Sequence, residues 1–82
     1  MASTPNVVLY KSAGCHLCER AQGQLARLRD ELDFAYEEID IGGDELLEAK
    51  YREWLPVVEI DGERAFVYYH DEAAFRRKLS QA

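Results

Sequence analysis

Several residue types are scarce in this 82-residue sequence, which contains only two cysteines, two prolines and one methionine. Its longest apolar runs are four or five residues, whereas a membrane-spanning helix needs about 20. The opening residues MASTP show no basic segment followed by an apolar one, so we expect no signal peptide. Basic residues are also fewer than acidic residues. With 16 acidic and 10 basic residues the net charge is −6, which argues against nucleic acid or an anionic membrane as the main partner.

The remaining composition suits a small folded protein. Hydrophobic residues make up 48% of the chain and charged residues 32%, so the chain can bury a core and differs from a disordered segment. A chain of this length forms one domain, and we expect a single domain over residues 1–82 that is a monomer.

The acidic residues are concentrated in one stretch of the chain. Residues 30–63 carry 13 acidic side chains and only two basic ones, Lys50 and Arg52. This stretch is either a solvated face that keeps the protein soluble or a docking surface for a basic partner, and both interpretations remain open at this point.

Hydrophobic spacing and turn residues predict seven elements. Apolar and β-branched runs predict strands over residues 7–11, 34–41, 57–60 and 64–69, the last two joined as an antiparallel hairpin. Apolar residues three or four positions apart predict a helix over residues 16–32. Asp44 predicts the N-cap of a short helix reaching Arg52, and a last helix follows over residues 71–81. The order β-α-β-α-β-β-α predicts an α/β fold with a four-stranded mixed sheet and helices on both faces.

Both cysteines lie in one motif, Cys15-His16-Leu17-Cys18, where the first predicted strand meets the first predicted helix. A bond across three residues closes almost no loop and stabilises a fold little. Without a signal peptide we expect a cytoplasmic, reducing environment. The pair therefore indicates redox or metal chemistry rather than a structural crosslink.

The position of the pair favours thiol–disulfide exchange. Free N–H groups and the positive end of the helix dipole stabilise an anion, so we expect a lowered pKa for the Cys15 thiol. Cys18 lies one turn later on the same helix face and can resolve a mixed disulfide formed at Cys15. We therefore expect a dithiol–disulfide oxidoreductase with Cys15 and Cys18 as its catalytic residues and with no cofactor.

Two segments carry a resemblance to a known family. Residues 10–18, YKSAGCHLC, resemble the active-site segment of glutaredoxins and other thioredoxin-fold oxidoreductases. Residues 54–62, WLPVVEIDG, are similar to the segment that carries the superfamily's cis-proline, third strand and hairpin turn. Over nearly its whole length the sequence resembles a small bacterial-type group of glutaredoxin-like proteins with a CxLC site.

The resemblance implies a thioredoxin-like fold, a cis Leu55–Pro56 peptide bond and a substrate site beside the cysteines. It assigns substrate binding to Lys11, His16, Leu17, Leu55, Pro56 and Asp71. Two of these residues can also be explained without substrate binding. Lys11 would then be a surface lysine at a strand end, and His16 an exposed residue of the first helical turn.

Two departures from glutaredoxins concern glutathione. A glycine pair usually precedes the last helix and binds the γ-glutamyl end of glutathione, but here residues 66–71 are FVYYHD and only Asp71 remains. The basic residue that usually stands three positions before the first cysteine stands four positions before it, as Lys11. We therefore expect poor use of glutathione. The expected partners are a disulfide-containing protein or a glutathione mixed disulfide, with thioredoxin reductase or glutathione as electron donor.

A non-enzymatic role is the alternative. The chain would then be a thioredoxin-fold module that binds a metal or an iron–sulfur cluster, or a redox-sensing binding domain. Zinc prefers four ligands, and the candidates near the motif are only Cys15, Cys18, His16 and His70. We therefore expect no metal site.

Overall fold

The first strand lies inside a four-stranded sheet in the computed structural model, which describes residues 4–68 and 71–81. This strand, β1 (Asn6–Lys11), pairs in parallel with β2 (Ala35–Asp40) and antiparallel with β3 (Val57–Ile60). The last strand, β4 (Glu63–Val67), pairs antiparallel with β3, so the order is β2-β1-β3-β4. The predicted mixed sheet and its hairpin are confirmed.

Two helices connect strands and a third follows the last strand, and the second and third begin at the predicted aspartates. The helices are α1 (His16–Glu31), α2 (Glu45–Tyr51) and α3 (Glu72–Ser80). Asp44 and Asp71 are the N-caps of α2 and α3, where each carboxylate accepts a hydrogen bond from a backbone N–H three residues later. None of the described helices is long and apolar enough to cross a membrane.

Several predicted element ends differ from the observed ones by one or two residues, and three of these differences have a local cause. Helix α1 ends one residue early, because Leu32 adopts an extended C-cap conformation. Helix α2 gives way to a 3-10 turn (Arg52–Trp54) in place of a last α-helical residue. The final strand stops at Val67, because Tyr68 has a φ of 67°, which is incompatible with extended backbone. Tyr69, the predicted end of that strand, lies outside the described residues.

The core has one part on each face of the sheet. Val7 and Leu9 of β1 face one side, where they join buried residues of α1 and α3 that include Leu25 and Phe75. Tyr10 faces the other side and packs against a smaller cluster, Ile41, Tyr51 and Val57, that includes the end of α2. The alternation of side chains along β1 therefore places α1 and α3 on one face and α2 on the other.

Two leucines at helical positions provide a matched test of this core. Leu25 is completely buried, whereas Leu46 on α2 is 84% exposed. We expect Leu25→Ala to lower the free energy of unfolding by about 2–5 kcal/mol, because it removes buried methyl groups and leaves a cavity. Leu46→Ala should change it by less than about 0.5 kcal/mol. Urea unfolding of both variants measures the difference, and equal losses would contradict this arrangement of the core.

A polar network ties β1, β2 and α1 together around Glu38. Its carboxylate accepts hydrogen bonds from Lys11 Nζ at 3.1 Å, from Gln22 Nε2 at 2.9 Å and from Tyr36 Oη at 2.8 Å. Burial raises the pKa of Glu38, but the hydrogen bonds from Tyr36 and Lys11 outweigh it and hold the pKa below its ordinary value. Burial, together with the hydrogen bond to Glu38, raises the pKa of Tyr36.

The lowered pKa of Glu38 makes part of the stability depend on pH. A carboxyl with a lowered folded-state pKa adds stability above its unfolded-state pKa of about 4.3, and this contribution is lost as pH falls through the folded-state value. We expect Glu38→Gln to lower the free energy of unfolding by about 1 kcal/mol at pH 7 and by progressively less below about pH 4.3. The exposed neighbour Glu37, changed to Gln, is the control and should show neither effect. The check is urea unfolding at several pH values, and a loss in Glu38→Gln that stays constant with pH would contradict the assignment.

Candidate active site

Strand pairing brings three separate segments to one edge of the sheet. Tyr10 pairs with Val57 and Val57 pairs with Val67, so β1 ends, β3 begins and β4 ends on the same side. The cysteine motif directly follows β1, and Leu55 and Pro56 directly precede β3. These segments therefore lie next to each other, although about 40 residues separate them in the sequence.

The two cysteines stand at the start of α1 at different depths. Cys15 is the N-cap of the helix and is half-buried, whereas Cys18 is only 2% exposed. Their sulfur atoms lie at disulfide distance and their Cα atoms are 5.2 Å apart. Gly14, directly before the motif, has a φ of 78°, a backbone conformation that favours glycine, and this turn leads the chain from β1 into the helix. Cys15 is thus the sulfur nearer to solvent.

Backbone groups of the helix are directed at the Cys15 sulfur. The Cys18 N–H donates a hydrogen bond to Cys15 Sγ across 3.2 Å. At a helix N-terminus this N–H is one of the groups without a partner inside the helix, and it adds to the positive end of the helix dipole. The arrangement stabilises negative charge on Cys15, which is the property that a nucleophilic thiolate needs.

The cis-proline segment forms part of a cavity beside Cys15. The Leu55–Pro56 peptide bond is cis, and Leu55 is half-buried. A cavity of about 490 Å³ is lined by Ser12, Ala13, Cys15, Ile41, Gly42, Glu48, Arg52 and Leu55. A substrate group bonded to the Cys15 sulfur would therefore have Leu55 beside it.

The cavity wall also contains an ion pair that sequence analysis did not assign to the site. Arg52 donates a hydrogen bond to Glu48 across 2.7 Å, one helical turn earlier on α2. The sequence held one indication of this, because Arg52 is one of only two basic residues in the acidic stretch and lies close before Leu55 and Pro56. The pairing leaves this wall of the cavity without a free positive charge.

Two residues assigned to substrate binding have carboxylate partners in the structure. Lys11 Nζ is 3.1 Å from Glu38, and Lys11 lines a smaller cavity of about 150 Å³ together with Cys18. The side chain of His16 is 93% exposed, with Nδ1 3.6 Å from a Glu19 carboxylate oxygen. Leu17 is half-buried between the cysteines. The substrate-binding roles of Lys11, His16 and Leu17 stay predictions.

The segment between β4 and α3 is described only in part. Asp71 is exposed, and its Oδ1 accepts a hydrogen bond from the Ala74 N–H at 3.0 Å, as an N-cap does. Tyr68 is exposed, and its hydroxyl donates to the Glu53 carbonyl oxygen at 2.9 Å. Tyr69 and His70, which together with Tyr68 replace the glycine pair of glutaredoxins, lie outside the described residues. The prediction of poor glutathione use therefore rests on the sequence and on Tyr68.

No group of three or more histidine, cysteine, aspartate or glutamate side chains in residues 4–68 and 71–81 is arranged to hold a metal ion. Of the four candidate ligands, Cys15 and Cys18 lie at disulfide distance and His16 is directed at Glu19. The fourth, His70, is among the residues that the structure does not describe.

Comparison with known proteins agrees with this geometry. The family model for the Glutaredoxin-like domain (DUF836) matches residues 6–80. An uncharacterised protein of Mycobacterium tuberculosis is 35% identical over 85 aligned positions, which cover 98% of this chain and 88% of the relative. A protein of Mycobacterium bovis, also uncharacterised, has the same identity and coverage.

Solved structures extend the similarity to three dimensions. The protein Ne2328 from Nitrosomonas europaea superposes with a TM-score of 0.80 at 28% identity, covering 96% of this chain and 95% of that one. A protein from X. campestris has a TM-score of 0.76 at 30% identity, with 93% and 97% coverage. Thioredoxin from Fasciola hepatica, at 20% identity and a TM-score of 0.67 over 95% of this chain and 80% of its own, shares the fold. The chain thus belongs to the glutaredoxin-like family of thioredoxin-fold proteins.

Proposed function

We propose that this protein is a dithiol–disulfide oxidoreductase that reduces disulfides in other proteins. The observation that carries the proposal is the position of Cys15 as the N-cap of α1, with Cys18 N–H directed at its sulfur and the buried Cys18 within disulfide distance. The sulfur of Cys15, which is nearer to solvent, has backbone support for a thiolate. The buried sulfur of Cys18 is placed to react with it.

The proposed reaction has two exchange steps. The Cys15 thiolate attacks one sulfur of the substrate disulfide, which forms a mixed disulfide and releases the other substrate sulfur as a thiolate. Cys18, after losing its proton to solvent, attacks Cys15 Sγ, which forms the Cys15–Cys18 disulfide and releases the second substrate thiolate. Two electrons pass from the protein to the substrate. An external dithiol, such as thioredoxin reductase, or two molecules of glutathione then restore the reduced protein.

Cys15 should be the more reactive thiol. Each unit by which its pKa lies below the free-cysteine value of about 8.5 raises the thiolate fraction about tenfold at pH 6. After reduction, we expect iodoacetamide at pH 6 to modify Cys15 about tenfold or more faster than Cys18, as read by mass spectrometry of the digested protein. Faster modification of Cys18 would contradict the assignment.

Serine variants separate the two cysteine roles. Cys18→Ser keeps the nucleophile but lacks the resolving thiol, so it should accumulate mixed disulfides with insulin chains that are visible on non-reducing gels. Cys15→Ser should neither reduce insulin nor accumulate these adducts. Far-ultraviolet circular dichroism of both variants is the control for folding. Equal activity of Cys15→Ser and the unchanged protein would refute the proposed mechanism.

A protein substrate is favoured over glutathione by the residues around the site. A glycine pair lets the γ-glutamyl group approach the backbone, since no Cβ is in the way, and this chain has tyrosine at position 68 instead. That side chain is held in place by its hydrogen bond to Glu53 and by contact with the Trp54 ring, 6.0 Å between centroids. Backbone contacts of this kind are worth about 1 kcal/mol each, or about fivefold in affinity.

Substitution of Tyr68 tests this preference. Glycine accepts the φ of 67° without strain and removes the side chain, so Tyr68→Gly should raise kcat/KM for a glutathione–peptide mixed disulfide by up to about fivefold, which is what one contact of about 1 kcal/mol is worth. Tyr68→Phe keeps the ring and should leave this rate low. The coupled assay with glutathione reductase measures both. A rate for the unchanged protein equal to that of an ordinary glutaredoxin would contradict the preference for protein substrates.

A further inference from the structure

We propose that the groove beside Cys15 binds an extended polypeptide whose disulfide is flanked by basic residues. The inference rests on the proposed function and adds the charge of the partner to it. It is carried by an exposed aromatic surface that continues from the cavity and by the charge of the segment that forms the cavity wall.

The aromatic surface consists of Trp54 and Tyr68, which are 41% and 40% exposed although both are large. Tyr68 is fixed from two sides, since its N–H donates to the Pro56 carbonyl at 3.0 Å and its hydroxyl donates to the Glu53 carbonyl at 2.9 Å. The rings of Trp54 and Tyr68 are 6.0 Å apart at an angle of 37°. An aromatic surface that is already ordered loses little conformational entropy on binding, which favours contact with a partner.

This surface is continuous with the cavity at the nucleophile. Leu55 lies between Trp54 and Pro56 in the chain and lines the same cavity as Cys15. A polypeptide whose sulfur reaches Cys15 therefore passes Leu55 and can place its next side chains against Trp54 and Tyr68.

The charge of the segment around the cavity indicates what the partner carries, since the charged residues of the lining itself, Glu48 and Arg52, form an ion pair. Residues 40–55 run from the end of β2 to the start of β3, and both of these points lie at the edge that holds Cys15. This segment has five acidic residues and two basic ones, a net charge of −3. The acidic residues are Asp40, Asp44, Glu45, Glu48 and Glu53.

The two cations of this segment are already counted in its net charge of −3, and each has a contact within the chain. Arg52 is bound to Glu48 at 2.7 Å, and the Lys50 ammonium lies 5.2 Å from the ring centroid of Tyr51. A third cation, Arg64 of β4, lies over the Trp54 ring, 5.9 Å from its centroid. A partner with basic residues on the α2 side of its disulfide complements this arrangement, whereas glutathione, a second copy of this acidic chain or an acidic peptide does not.

Two disulfide-linked peptides that differ only in their flanking residues test the inference. One has lysine on both sides of its cysteine and the other has glutamate. With reduced protein, we expect kcat/KM to be about tenfold higher for the lysine peptide at about 0.01 M ionic strength. The ratio should approach one at about 1 M, where the Debye length is about 3 Å.

Charge variants locate the effect. The double variant Glu45→Gln with Glu53→Gln should reduce the ratio several-fold at low salt. The matched control, Glu37→Gln with Glu63→Gln, removes the same charge from the middle of β2 and from the start of β4, away from the site edge, and should leave the ratio unchanged. Trp54→Ala should slow both peptides equally. Circular dichroism confirms that each variant is folded.

The outcomes separate the inference from the proposed function. Reduction of neutral bis(2-hydroxyethyl) disulfide reports the dithiol chemistry alone. Equal rates for the two peptides, a preference for glutamate, or an equal effect of the control variant would overturn the inference while leaving the proposed function intact. If none of the three disulfides is reduced, the inference and the proposed function are both overturned.

Discussion

The position of β1 between β2 and β3 is the constraint on which the rest of the structure depends. It runs parallel to β2 and antiparallel to β3, and β4 in turn runs antiparallel to β3. The end of β1, the start of β3 and the end of β4 therefore lie at one edge of the sheet. Its side chains alternate between two apolar clusters, and these position α1 and α2 on opposite faces. Burial of a few side chains on β1 thereby also determines where the cysteines and the cis-proline lie.

The start of α1 gives the two cysteines different chemical environments. Cys15, the N-cap, is half-buried and has the Cys18 N–H directed at its sulfur, whereas Cys18, three residues later in the first turn, is buried. The difference in environment comes from backbone geometry and depth rather than from charged side chains. Two ionisable side chains close to the motif in sequence, Lys11 and His16, are each directed at a glutamate.

Local patterns in the sequence were enough to predict the architecture and the position of the cysteine motif. The periodicity of α1, the caps at Asp44 and Asp71 and the hairpin are properties of a few neighbouring residues, and the structure has them all. The pairing of Lys11 with Glu38 and the place of Arg52 in the cavity wall depend on strand register across many residues, which no local pattern reports. The left-handed backbone of Tyr68 was missed for another reason: a tyrosine beside a β-branched run favours a strand, and here a turn overrides that propensity.

The outer strands of the sheet also limit how the molecule can associate. Both β2 and β4 have one side without a neighbouring strand within the described part of the chain, and an uncovered strand is a template for pairing with another chain. β2 presents the exposed residues Glu37 and Asp40, and β4 begins with the exposed pair Glu63 and Arg64. Like charges on β2 repel the same strand of a second molecule. The acidity of β2 therefore protects this edge of the sheet against edge-to-edge aggregation.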